Sequence, residues 1–333
     1  MTRSMKDLIV DRIQKNGGWV NTHAHFDRAY TISQENLEQS HRRMENKWTL
    51  VDVMKRASSE EAYAERIERA LCVMIAQGVR YCATFIDVDP VCELRAIKAA
   101  VAIKKKYANV CTLVLINQVL KGVINKEARR WAEKALEYVD IIGGLPSKDR
   151  PHDLRHLDII FEWAKQTRKV VHVHVDQENN PHEHDIERLA RRVIKRGLEG
   201  KVAAIHGISI AAQSTKRRKQ IYRLIKAAGL SLICCPSAAL SMRQLPYKTA
   251  LHNSIAPVPE LVSEGIPVAI GVDNIADIYQ PLIDGNMYAE LRILAESCRF
   301  YDLDSLAQIG SSNGLYVLGL RRKEVYVKNT DVL

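Results

Sequence analysis

No apolar run in this 333-residue sequence approaches the ~20 residues that a helix needs to cross a bilayer, so a membrane-spanning protein is not expected. The seven cysteines (Cys72, Cys82, Cys92, Cys111, Cys234, Cys235, Cys298) contain no C-x-x-C pair and follow no regular framework. Scattered through apolar segments, they read as reduced, mostly buried thiols without a disulfide, in a cytoplasmic protein. The N-terminal stretch MTRSMKDLIVDRIQKNGG mixes charges throughout and lacks the apolar core of a secretory signal. Low-complexity segments and linkers are missing too, so the chain 1–333 is expected to be one domain. With 47% hydrophobic and 26% charged residues, what remains is ordinary globular composition.

The net charge of +10 has an address. Between Arg188 and Lys226 there are twelve Lys/Arg against one acid, Glu199, and the rest of the chain carries a net charge of −1. Two amphipathic helices account for the segment. Ile186, Leu189, Ala190 and Val193 form an apolar stripe opposite Arg188, Arg191, Arg192 and Lys195. Ile221, Leu224, Ile225 and Ala228 do the same opposite Arg218, Lys219, Arg223 and Lys226. Solvated basic faces are the expected reading. A non-catalytic barrel that binds an anionic partner through this wall is the alternative. No nucleic-acid motif accompanies the charge, and neither nucleic acid nor membrane is an expected partner; a homo-oligomer is compatible with the sequence.

Short β-branched runs alternate with amphipathic helical patterns along the whole chain. Strands are expected at 19–25, 81–88, 111–118, 140–145, 170–176, 202–209, 231–236 and 267–274. Helices are expected near 60–78, 92–107, 126–138, 156–167, 184–196, 215–228, 257–264 and 286–298. Nearly all-apolar strands, each followed by a helix, imply a parallel sheet covered on both faces. Eight such units predict an α/β (β/α)8 barrel of TIM type. One long insertion, about 30–59, follows strand 1, where a barrel carries active-site loops.

Barrel chemistry belongs at the C-terminal strand ends. Strand 1 ends in His23-Ala24-His25, strand 5 carries His172 and His174, strand 6 carries His206, and strand 8 ends in Asp273. Residues i and i+2 of a strand share a face, so paired imidazoles can reach one ion. Nitrogen and carboxylate donors without thiolate suit Zn, Fe or Mn. His182 and His184 form another H-x-H, but they precede a helix and read as its exposed start.

The motifs NTHAHFDR, INQ, VHVHVDQ, AIHGIS and GVDNIADIYQP, in this order, resemble the amidohydrolase superfamily, and within it the cytosine deaminase-like branch. That resemblance implies one divalent ion, Zn or Fe, held with its water by His23, His25, His174 and Asp273. It also implies that His206 bonds to that water or to the tetrahedral intermediate, and that Gln118 faces the substrate ring. Binuclear relatives use a carboxylated lysine at the end of strand 4, but here Gly143-Gly144-Leu145-Pro146 stands there and Lys148 lies beyond the proline. Most relatives carry a flanking β-sandwich; in this chain it is expected to be missing or vestigial.

Deaminating relatives place a glutamate three residues after the strand 5 histidine. Here that position is Gln177, whose neutral amide cannot act as a general acid or base. The expected enzyme is therefore a metal-dependent hydrolase of a non-peptide C–N bond: an amide, a cyclic amide, or an amino group of an N-heterocycle. Asp273 would move the proton and His206 would stabilise the oxyanion. Arg28, Asn274, Tyr279 and Gln177 would choose and orient a small nitrogen-containing substrate. A cytosine-like deaminase with Glu178 as a displaced proton shuttle is the chemical alternative. Arg28 has a purely structural option as well, a rim ion pair with Asp27 or Asp87.

Overall fold

The eight apolar runs form eight parallel strands. The computed structural model describes residues 3–42, 44–242 and 254–320. The strands are β1 (Trp19–Asn21), β2 (Val79–Asp87), β3 (Thr112–Gln118), β4 (Ile142–Gly144), β5 (Val171–Val175), β6 (Val202–His206), β7 (Ser231–Cys234) and β8 (Val268–Ile270). They pair in order as β1-β2-β3 and β4-β5-β6-β7-β8. Two seams join these sheets. Ile116 bridges Ile141, and Ala24 bridges Asp273, both in parallel. The second seam is hydrogen-bonded from Thr22 N to Ile270 O (3.1 Å) and from Asp273 N to His23 O (3.0 Å). This is a closed (β/α)8 barrel of TIM type, and among the described residues every strand belongs to it.

The helices are α1 (Met5–Lys15), α2 (Met44–Ala57), α3 (Glu60–Ala76), α4 (Arg95–Lys106), α5 (Lys126–Ala135), α6 (Asp153–Thr167), α7 (Asp185–Arg196) and α8 (Thr215–Ala227). They continue with α9 (Pro236–Ser241), α10 (Val258–Ser263), α11 (Met287–Cys298), α12 (Leu303–Gly310) and α13 (Ser312–Val317). Outward strand residues such as Val171, Val173 and Val175 pack against the helices in one apolar layer. Inward residues such as Val114, Ile116, Ala203 and Ile205 form a second core with Leu315, Val317 and Leu318. The stretch α13–Leu318 therefore fills the bottom of the barrel, and Asn313 Nδ2 donates to Val268 O (2.8 Å) to fix it there. The sequence pattern had not indicated this plug.

The insertion at 30–59 is not simply loop. It contains a 3₁₀ turn at Leu37–His41 and the four-turn helix α2. Contacts from α2 reach rim residues after four strands. Lys55 Nζ meets Asp87 (3.0 Å) and Asp89 (2.5 Å) after β2, and Asp52 pairs with Lys121 after β3. Lys148 Nζ lies 3.9 Å from the Trp48 ring centroid after β4, and Lys47 Nζ lies 5.8 Å from that of Tyr279 after β8. The helix thus lies over the C-terminal mouth of the barrel.

All seven cysteines are free, five of them buried, and no described helix is long and apolar enough to cross a membrane. Half of the twelve bases of the wall are paired with acids among the described residues. Arg188 pairs with Asp153, Arg192 and Arg196 with Asp158, Arg217 with Glu187, Arg218 with Glu260, and Lys226 with Glu264. Filter binding with DNA and sedimentation with anionic vesicles are expected to show no association even at low salt. Strong binding that falls steeply with salt would restore the anionic-partner reading.

Candidate metal centre

His23, His25, His174, His206 and Asp273 converge inside the mouth of the barrel. Ligand atoms of His23, His25 and His174 lie within 4.8 Å of one another, as do those of His23, His206 and Asp273. Imidazole centroids are 4.9 Å apart for His23–His25 and His23–His174, and 5.6 Å apart for His174–His206. The Asp273 Oδ1 atom faces His25 Nε2 (3.3 Å) and His23 Nε2 (3.4 Å), while Oδ2 faces His206 Nε2 (3.9 Å). All five residues are buried.

Local backbone choices create this convergence. On β6 the inward residues are Ala203 and Ile205, so simple alternation would turn His206 away from the interior. A positive φ of 76° at His206 breaks the alternation, and Asp273 has φ 60°. Left-handed backbone at non-glycine residues is strained, and such strain gathers at functional sites. At Gly271, a Cβ would sit 2.6 Å from the His23 Cβ, so only glycine lets β8 pass behind the His23 seat. Phe85 packs under the group, 4.7 Å from the His174 ring and 5.0 Å from that of His23.

The electrostatics favour a cation. Burial, reinforced by the Arg28 charge, holds His25 well below the usual histidine range; burial and then the neighbouring His23 do so for His174. Burial also pushes His206 down to about 4. These neutral imidazoles keep lone pairs to offer. Burial alone would raise the Asp273 pKa, but the facing imidazoles of His23, His25 and His206 hold its carboxylate well below the usual range. His174 Nδ1 donates to Gly144 O (3.3 Å), which leaves the lone pair of Nε2 available to a cation. Both nitrogens of His23, and Nδ1 of His25 and His206, are buried without a hydrogen-bond partner. Such orphaned donors and acceptors are costly unless something binds them.

His172 does not join the group, contrary to the strand 5 pairing expected from H-x-H. Its Nε2 lies 3.0 Å from Val317 O, so it is committed to the barrel plug. Two residues of strand rise, about 6.6 Å, separate it from the His174 layer. Lys148 stacks on Trp48 in the 3₁₀ turn at Pro146–Asp149.

The expected substrate residues divide. Gln118 ends β3 with Oε1 buried and unpartnered, and Tyr279 has a buried unpartnered hydroxyl. Asn274 donates to Asp277. Arg28 is buried and ion-paired to Asp87 (3.4 Å) and Asp277 (3.5 Å), with its guanidinium 5.1 Å from the Tyr279 ring centroid. Gln177 is half-buried just after β5, whereas Glu178 is exposed, a poor setting for a proton shuttle. His184 is the residue before α7, as its position suggested.

Sequence reasoning missed Lys47, Lys55 and Phe85, and also Glu290, a buried residue of α11 that accepts from Ser237 N (2.9 Å). It missed the carboxylates Asp176, Glu183 and Asp185 as well, which cluster beside Arg150. Asp176 Oδ1 accepts from Asp185 N (2.8 Å) at the start of α7. Burial, then the charges of Glu183 and Asp185, push Asp176 up to about 8. A carboxyl raised in the folded state contributes stability below its ordinary range near 3.8, and that contribution fades as pH rises through 8. Between those limits the wild type should therefore lose stability relative to Asp176→Asn as pH increases. Paired melting curves at pH 4, 6 and 8 check this, and a constant difference would contradict it.

The sequence matches the family model described as Amidohydrolase family over residues 17–324. It is 42% identical over 266 residues to an uncharacterized protein of Haemophilus influenzae, covering 79% of this chain and 96% of that protein. It is 24% identical over 333 residues to N-isopropylammelide isopropyl amidohydrolase of Pseudomonas sp. (strain ADP), covering 96% of this chain and 79% of the relative. The crystal structure of 5-methylcytosine deaminase from Klebsiella pneumoniae liganded with 5-fluorocytosine superposes with a TM-score of 0.83. That match is 22% identical and covers 91% of this chain and 74% of the other.

Proposed function

The chain belongs to the amidohydrolase family, and from that premise we propose that His23, His25, His174 and Asp273 hold one divalent ion, Zn or Fe. The family is metal-dependent, and this member is a hydrolase of non-peptide C–N bonds. The observation that carries the ligand assignment is the convergence of His23, His25, His174 and the Asp273 carboxylate at one barrel mouth, with both nitrogens of His23 and Nδ1 of His25 buried and unpartnered. When bound, such an ion makes water nucleophilic at neutral pH, lowering its pKa from 15.7 to about 7.

The protein groups then divide the proton work. Asp273 Oδ1 is turned to His23 and His25, which leaves Oδ2, on the His206 side, to take the proton of the attacking water and return it to the leaving nitrogen. His206 stabilises the developing oxyanion. Gln118 Oε1 accepts from an N–H of the substrate, and Gln177 orients the ring from the rim. Arg28, Asn274 and Tyr279 shape the wall beside the strand 8 loop.

The substrate is a small nitrogen heterocycle, supported by the names of the similar proteins, which include a cytosine and an ammelide. The free thiols support a cytoplasmic setting. Cleavage of an amide-like bond is favoured over deamination. Releasing ammonia from an aromatic ring first needs a proton on the ring nitrogen, and Gln177 can donate a hydrogen bond but not transfer the proton. Metal-loaded protein assayed on heterocyclic amines, hydantoins, lactams and N-acyl compounds tests the function. Turnover of an amide or cyclic amide is expected, with Gln177→Ala raising KM more than it lowers kcat. Rapid deamination of a pyrimidine, purine or triazine that Glu178→Gln abolishes would make Glu178 the shuttle instead.

A further inference from the structure

Lys47 is only 9% exposed at the mouth of the barrel, and no hydrogen bond or ion pair to a described residue holds its ammonium. Among the described residues the nearby carboxylates are engaged elsewhere. Asp277 attracts Lys47 from a distance but is committed to Arg28 (3.5 Å) and Asn274, Asp52 serves Lys121, and Asp87 and Asp89 serve Lys55. The contrast with Arg28 is direct. Two carboxylates compensate that buried guanidinium, whereas Lys47 Nζ has the face of Tyr279 at 5.8 Å. A cation over an aromatic face at that distance does not replace an ion pair.

The position of this ammonium gives the deficit a meaning. Tyr279 lies in the loop that runs directly on from Asp273, and its hydroxyl is buried without a partner. Gln280 Oε1 in the same loop and Gln118 Oε1 at the end of β3 are buried and unpartnered as well. The rim thus offers unsatisfied acceptors and a hydroxyl, with a cation held by no ion pair at its edge.

We propose that Lys47 binds an oxyanion of the substrate, a carboxylate or an ionised ring oxygen, remote from the scissile C–N bond. The enzyme then selects acidic N-heterocycles over neutral ones. This rests on the function proposed above for the same mouth. Lys47 is a specificity residue that touches substrate and takes no part in proton transfer.

Calorimetric titration of the metal-loaded protein with orotate, the cyanurate monoanion and uracil separates the alternatives. Wild type is expected to bind at least one of the two anions about 10–100-fold more tightly than uracil, the worth of a hydrogen bond to a charged group. Preference for orotate alone assigns a carboxylate, and preference for cyanurate assigns a ring oxygen. Lys47→Met should erase the preference and Lys47→Arg should keep most of it, with bound metal and circular dichroism as for wild type. Equal binding of all three rings by wild type, or a preference that survives in Lys47→Met, overturns the proposal. Should the protein cleave neutral heterocycles without any anion preference, the hydrolase reading stands and Lys47 falls. If the preference depends on Lys47 but no C–N bond in the panel is cleaved, the reverse holds.

Discussion

Replacing Asp273 by Asn is expected to lower turnover about 10²–10⁴-fold, the range for losing a positioned proton-transfer group. The substitution keeps the shape and removes two properties at once. The amide cannot carry the proton between the attacking water and the leaving nitrogen, and it lacks the negative charge that faces His23 and His25 at 3.4 and 3.3 Å. His206→Ala should act through the oxyanion instead, lowering kcat with little change in bound metal. The two variants are therefore distinguished by metal content: Asp273→Asn loses metal and rate together, His206→Ala mainly rate. Steady-state kinetics beside metal analysis checks both. An Asp273→Asn enzyme within ten-fold of wild type would remove this residue from the proton path.

A second large effect is expected at the rim of the same mouth. Lys55 is fully buried between Asp87 and Asp89, both also fully buried, at 3.0 and 2.5 Å. Lys55→Met leaves two carboxylates in the interior, with only Arg28 near Asp87 at 3.4 Å. Breaking a buried ion pair from one side costs about 3–5 kcal/mol, because the stranded charge cannot recover its hydration. The urea midpoint should fall accordingly. Because Asp87 also holds Arg28, residual activity should show weakened substrate binding before any loss of proton transfer. A loss below about 1 kcal/mol would mean that the pair is not buried in solution.

The way these residues are hidden explains what the sequence disclosed. The barrel was legible because both strand faces are apolar, and the candidate ligands were legible because they end strands, where side-chain direction follows from alternation. His25 and Asp273 were found at such ends, although the left-handed backbone of Asp273 (φ 60°) is not written in the pattern. His206 was found as a histidine on β6, but the φ of 76° that turns it inward leaves no mark in the pattern. His172 shares a face with His174 and still misses the site, because depth along the strand is not encoded by alternation. Lys47 and Lys55 lie on a helix whose charges, in sequence, resemble any solvated face. Their burial comes from α2 lying across the mouth, a long-range arrangement that local periodicity cannot carry. The plug formed by α13 and Leu318 escaped for the same reason: Asn313 finds its partner on β8, far away in the chain.

The most direct measurement is metal content by elemental analysis of purified protein, after chelation and reloading with zinc or ferrous iron. About one equivalent per chain is expected for the wild type, lost in His23→Ala and Asp273→Ala while circular dichroism and the barrel fold persist, since the aliphatic cores do not depend on the site. Two ions per chain, none after reloading, or full retention in both variants would contradict a single ion held by His23, His25, His174 and Asp273.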